Sequence, residues 1–408
     1  MPSFRSSPAF RSSPSLSPEH RLLLILARRR LAQELSGASA AALPDSLDPV
    51  DERAFLEAAA RHRLLPLVWN LPPDLPDGIV SPRLRETLRA AYLRTFRTSL
   101  QIRGECRPLL DDLADAGISA LAFKGPVIGA MAYRTEGLRS CTDLDLLIRK
   151  EDVERTVRAL FNLGFEERNP LHDGYDATWS RYLPHQRPHG NANGYVRGRD
   201  APGALYLDLH WGIASRYFLI PWDPDGIWER RQTIRLPGGD SVPTFSDEDT
   251  LLFLCVHAAK DNYDRLRLLA DVAAFLHTHP DLDIDRVLER AAAIRCRGMA
   301  VLTLTLAAHL FDAPLPPGFR QAHPASPGLL RRAGSLLFAP RRGVSGLLQR
   351  GAFHLRLRDR VRDALGTLFY QTELSIRTMI NRAATSSRKD RVAETDTHSV
   401  SPITQDPA

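Results

Sequence analysis

Two short apolar runs carry three carboxylates between them, set at alternating positions with leucine. This pattern calls for a sheet that buries one face and presents acids on the other. The runs are Thr142-Asp143-Leu144-Asp145-Leu146-Leu147 and Leu207-Asp208-Leu209-His210. Alternate side chains of a strand share a face, so Asp143 and Asp145 point one way while Leu144 and Leu146 point into the core. Leu144, Leu146, Leu147 and Ile148 are apolar enough for a central strand, where an unpaired acid would be costly. Two carboxylates on one strand, joined by Asp208 from a neighbouring strand, can grip a hard cation such as Mg²⁺ through oxygen. Two plainer readings stand beside this one: solvated turn formers at a strand end, or a salt bridge from Arg139. A histidine at a strand end more often packs than reacts, so His210 is given no catalytic role.

Upstream lies Ala122-Phe123-Lys124-Gly125-Pro126, a strand end running through a glycine turn into a short helical pattern. A helix N-terminus attracts phosphate. Lys124 is informative because lysine is scarce: of 54 basic residues only Lys124, Lys150, Lys260 and Lys389 are lysines. A lysine before Gly125 then reads as a compact, flexible point charge in place of a planar fork, with a chance exposed lysine as the alternative. A metal site beside a phosphate cradle is what phosphoryl or nucleotidyl transfer requires.

The chain has 408 residues, 43% hydrophobic and 25% charged, values ordinary for a globular protein of two or three domains. No apolar stretch approaches the roughly 20 residues that span a bilayer. Cys106, Cys141, Cys255 and Cys296 show no paired spacing, which excludes a zinc motif or a disulfide framework and points to a reducing cytoplasm. The formal charge is +6, and between Leu329 and Arg391 fourteen Arg/Lys face four Asp/Glu. That basic segment fits either a nucleic-acid contact or a solvated helical face.

Residues 1–18 are Ser/Pro-rich and read as a disordered tail; residues 381–408 read likewise. A helical N-terminal region is expected over 19–116, with helices at 19–36, 51–69 and 82–116, the last kinked or broken at Pro108. The period then changes. Strands are expected at 118–123, 143–148, from 165 and at 205–211, helices at 126–132 and 151–163, and mostly loop over 169–203. This gives an α+β core over 117–246, a small mixed sheet flanked by helices. A helical C-terminal domain follows over 247–380, beginning with one helix from Asp247 to His277. On that helix His257 and Lys260 share a face. Lys260 reads as a triphosphate contact or as an exposed residue with local partners, and Asp271, in an apolar run, calls for a buried partner.

These residues resemble a known family. Leu121-Ala122-Phe123-Lys124-Gly125, Tyr133, Gly137-Leu138-Arg139 and Thr142–Ile148, with Asp152 and Leu163-Gly164-Phe165, are similar to the bacterial "uncharacterised nucleotidyltransferase" family of the DNA polymerase beta-like superfamily. The likeness runs from Ala60-Arg61-His62 through Leu209-His210-Trp211 and Leu254–Lys260 to Arg267–Asp271, over about residues 50 to 315. It implies a small mixed sheet with a helical domain beside it, Asp143 and Asp145 as the metal-binding pair, and Asp208 as the third acid. Lys124-Gly125 stands where most of the superfamily has Gly-Ser. The expected function is Mg²⁺-dependent transfer of a nucleoside monophosphate from a nucleoside triphosphate to a hydroxyl acceptor. Asp143, Asp145 and Asp208 would hold two Mg²⁺ ions, with Mn²⁺ as a substitute, and Lys124, Gly125, Arg139 and Lys260 would contact phosphate. The acceptor stays open among a small molecule, a peptide or protein and an RNA end, including a toxin-like tRNA-modifying role. The rival is a nucleotide-binding or scaffold protein that has lost activity.

Overall fold

The computed structural model of the chain describes residues 16–36, 43–44, 47–76, 78–133, 135–168, 192–199, 203–213, 220–338 and 343–358. The expected tails lie outside these residues except for 16–18, as does the basic segment beyond Arg358. The helices are α1 (Pro18–Ser36), α2 (Glu52–Arg61), α3 (Leu65–Val68), α4 (Pro82–Asp115), α5 (Pro126–Ala132), α6 (Val153–Asn162), α7 (Pro224–Glu229), α8 (Asp247–Lys260), α9 (Leu266–Thr278), α10 (Ile284–Ala293), α11 (Arg297–Phe311), α12 (Phe319–Ala322), α13 (Pro327–Phe338) and α14 (Gly343–Leu357). The strands are β1 (Ala120–Ala122), β2 (Leu144–Ile148), β3 (Phe165–Glu167), β4 (Ala192–Arg197), β5 (Leu205–His210), β6 (Gln232–Arg235) and β7 (Ser241–Thr244). Mixed α+β architecture is thus observed, with helices dominating.

Strands β1 to β5 form one mixed sheet in the order β1-β2-β5-β4-β3. β2 pairs antiparallel with β1 and parallel with β5, which sets Asp145 opposite Asp208 and Leu147 opposite His210. All five residues of β2 are buried, as its apolar run requires. The β4 strand lies inside the stretch expected to be mostly loop. Its Asn193-Gly194 pair has little strand propensity, and the ladders to β3 and β5 on either side hold it extended. β6 and β7 form a separate hairpin, closed by the backbone bond from Leu236 to Asp240 across Gly238 and Gly239.

Caps fix several helix starts. Ser81 accepts from the Leu84 amide ahead of Pro82, and Ser246 accepts from the Asp249 amide ahead of three acids in the first turn. α4 runs through Pro108 as one helix, without the break that proline suggested. The helix expected over 247–277 is two helices. Asn262 and Tyr263 take φ of 58° and 52°, and their amides close back on Ala259 and Ala258. The 51–69 helix divides in the same way at Arg63, φ 53°. The first of these two breaks carries no Gly or Pro to announce it, whereas Pro66, in the first turn of α3, marks the second.

Buried apolar side chains from the N-terminal helices, the sheet and the C-terminal helices form one continuous cluster. Among the described residues no helix is long and apolar enough to cross a membrane. Where α9 packs across α5, Asp271 accepts from Tyr133 Oη (2.9 Å), Arg139 Nε (3.1 Å) and Arg267 (3.3 Å), which answers its need for a buried partner. Removing this acid leaves two enclosed guanidinium groups without their counter-charge. Asp271→Ala is expected to lower unfolding free energy by about 3–5 kcal/mol in denaturant titration.

Candidate active site

Asp145 is the centre of the site. It lies on β2 with 3% of its side chain exposed, and its Oδ1 accepts from Lys124 Nζ at 2.6 Å. His210 Nε2 lies 3.0 Å from the same oxygen. The carboxylate oxygens of Asp145 and Asp208 and a ring nitrogen of His210 fall within 4.8 Å of one another, close enough to share one ion. Two carboxylates and an imidazole fit a hard or borderline divalent cation, Mg²⁺ or Mn²⁺. The parallel register of β2 and β5 brings the set together, since Asp208 and His210 are two residues apart and face the same side. His210, given no role from sequence, therefore belongs to the donor set.

Asp143 falls outside that set. The β2 ladder begins at Leu144, so the sheet does not hold Asp143 in register. Its charge still acts on Lys124 and Asp208. Its carbonyl, which accepts from Cys141 Sγ, closes against the turn at Gly125. There φ is 52° and ψ −120°, and a Cβ would meet Asp143 O and Cys141 Sγ at 2.9 Å. Only glycine suits that position. Arg139, expected to contact phosphate, is instead buried, bonded to Asp271 and to the Gly125 carbonyl at 2.8 Å. It positions the turn. Lys260 ends α8 and pairs with Asp261 at 2.5 Å; its charge reaches His210.

The charges explain the local chemistry. Burial works against the Lys124 ammonium, but the Asp145 carboxylate outweighs it and holds the lysine pKa above its usual range. Burial likewise opposes the Asp145 charge, and Lys124 and His210 overcome it, so that acid stays ionised. His210 is kept neutral by burial and by Lys124. Asp208 goes the other way: burial, then the charges of Asp145 and Asp143, push its pKa up to about 7. One wall of the site is aromatic. Lys124 Nζ lies 5.1 Å from the Phe123 ring centre and 5.7 Å from that of Phe253, and Phe123 meets His210 edge-on.

Three further residues were not legible from the motifs. Arg168 reaches Asp208 Oδ1 at 3.5 Å from the end of β3. Gly194, opposite Asp208 on β4, leaves room for it, since a Cβ there would sit 2.8 Å from Arg168 Cδ. Arg63 brings a half-buried guanidinium from the N-terminal region into the field of Asp143 and Arg139. All three depend on tertiary pairing and carry no local signal.

Residues 48–312, well over half the chain, match the family described as uncharacterised nucleotidyltransferase. The chain belongs to this family. No curated protein matches it. Among solved structures, an antigenic nucleotidyltransferase-like protein from Paracoccidioides brasiliensis aligns at TM-score 0.33 and 14% identity, covering 53% of this chain and 95% of that one.

The raised Asp208 pKa has a measurable sign. Between its ordinary value of 3.8 and about 7 the folded state keeps a proton that the unfolded state has lost. Stability contributed by this group therefore falls as pH rises through that window. Asp208→Asn removes the effect: its unfolding temperature relative to wild type is expected to climb from pH 4 to pH 8. A difference independent of pH would contradict the assignment.

Proposed function

We propose that this nucleotidyltransferase-family protein transfers a nucleoside monophosphate from a nucleoside triphosphate to a hydroxyl acceptor, at the site centred on Asp145. The observation that carries this reading is the meeting of Asp145, Asp208 and His210 donor atoms within 4.8 Å, beside Lys124 and the Gly125 turn. Asp145, Asp208 and His210 would hold Mg²⁺ or Mn²⁺, and Asp143, on the rim just before β2, would join them by a side-chain rotation. When bound, the metal supplies positive charge to the triphosphate and to the oxygens between which the phosphoryl group moves.

The chain's own groups do the rest. Lys124 offers to the β- and γ-phosphates an ammonium that lies over the Phe123 and Phe253 rings. The Gly125 turn, held by Arg139, lets backbone approach the phosphates without a side chain in the way. Lys260 and Arg63 add positive charge at the rim. Asp208, a carboxylate of this donor set, would help take the proton of the acceptor hydroxyl. Phe123, Phe245 and Phe253 keep the floor dry, which strengthens each of these electrostatic contacts.

Binding and chemistry are tested separately. A ligand that binds the native state raises the unfolding temperature. One of ATP, GTP, CTP or UTP is expected to do so in the presence of Mg²⁺, and the shift to vanish in Asp143→Asn/Asp145→Asn. With that donor, Asp145→Ala is expected to lower pyrophosphate release by about 10²-fold or more, the scale of losing a key electrostatic group. Wild-type turnover in Asp145→Ala would sink the reading. Metal-dependent nucleotide binding without pyrophosphate release, across a broad acceptor panel, would favour the inactive nucleotide-binding alternative.

A further inference from the structure

We infer that Lys124 is a tethered counter-cation: its ammonium competes with the divalent metal for Asp145, and the donor's triphosphate is what draws it away. The inference rests on the metal–nucleotide reading above and adds an order to it, with metal and triphosphate entering as one complex.

Lys124 already occupies the oxygen that a metal would need. Lys124 Nζ sits 2.6 Å from Asp145 Oδ1, the oxygen that also lies 3.0 Å from His210 Nε2. These are two of the three residues whose donor atoms converge for an ion. A monovalent ammonium and a divalent ion cannot share one enclosed carboxylate oxygen at contact distance without strong mutual repulsion, because little solvent is present to screen them. Asp145 is 3% exposed and Lys124 20% exposed on their side chains, so the pair is enclosed on the acid's side and open on the lysine's.

Lys124 is also free to move. Lysine carries a point charge on a four-carbon stem, unlike the rigid fork of arginine. Its ammonium lies over the Phe123 and Phe253 rings, whose faces tolerate a cation over a range of positions. It can therefore exchange one anionic partner for another by pivoting, with no backbone movement. A triphosphate offers that partner, and the metal it carries offers Asp145 a replacement charge. Each ligand then relieves the cost of the other, a coupling that is reciprocal by necessity. In a chain with only four lysines, this exchange is a reason for lysine here that a simple phosphate contact is not.

The test is Mn²⁺ binding alone, without nucleotide or turnover, to the full chain by electron paramagnetic resonance of free Mn²⁺. Lys124→Met keeps the apolar stem and removes the charge. It is expected to bind Mn²⁺ at least tenfold more tightly than wild type, while Lys124→Arg stays as weak as wild type. Lys124→Gln serves as a second neutral variant should the methionine variant unfold, with unfolding temperature and circular dichroism confirming the fold of each. Neutral variants that bind no more tightly than a wild type that does bind would overturn the counter-cation role and leave the metal site standing. Absence of Mn²⁺ binding in every folded variant would overturn the metal reading and the competition with it.

Discussion

An ionised carboxylate in the middle of a fully buried strand must be compensated, and the groups around Asp145 are arranged to do this. Asp145 is 2% exposed on a strand whose other residues are all apolar. Enclosing such a charge without partners would cost several kcal/mol. Lys124 and His210 meet that cost from two neighbouring segments. Lys124 can reach because β1 ends at Ala122 and the chain turns at Gly125, close against the Asp143 carbonyl. That turn is held from behind by Arg139, and Arg139 is held by Asp271 on α9. The arrangement around Asp145, on interior strands of the sheet, thus depends on a buried ion pair between Arg139 and α9.

This dependence explains why the helical regions share a core with the sheet. α9 supplies Asp271, the end of α8 supplies Lys260, and the break after α2 supplies Arg63. The backbone of His62 and the Nδ1 of its ring accept the Arg267 and Leu266 amides at the start of α9. The N-terminal helices therefore fix the helix that fixes the turn. A cut between these regions would separate the carboxylates from what orients them.

Much of the candidate cluster around Asp145 was legible because its signal is local. Strand alternation placed Asp145 and Asp208 on facing ladders, and scarcity singled out Lys124. The same alternation held a signal for His210, two residues beyond Asp208 and so on its face, which strand-end statistics outweighed. Alternation put Asp143 on the same footing as Asp145 because it assumes the strand has already begun, whereas the β2 ladder starts at Leu144. Arg139 was read as a phosphate contact because charge near a glycine turn suggests one, and only packing reveals that Asp271 claims it. Strand β4 and the break at Asn262-Tyr263 were invisible, because neighbouring strands and tertiary contacts impose them on sequences without a matching propensity, whereas Pro66 was a local mark of the break at Arg63.

The most direct measurement of the central claim is anomalous diffraction at the manganese edge from crystals grown with Mn²⁺ and a nucleoside triphosphate. The account predicts a peak within coordinating distance of Asp145, Asp208 and His210, with the Lys124 ammonium moved from Asp145 onto phosphate. No peak at those side chains, with nucleotide bound elsewhere and Lys124 still on Asp145, would contradict it.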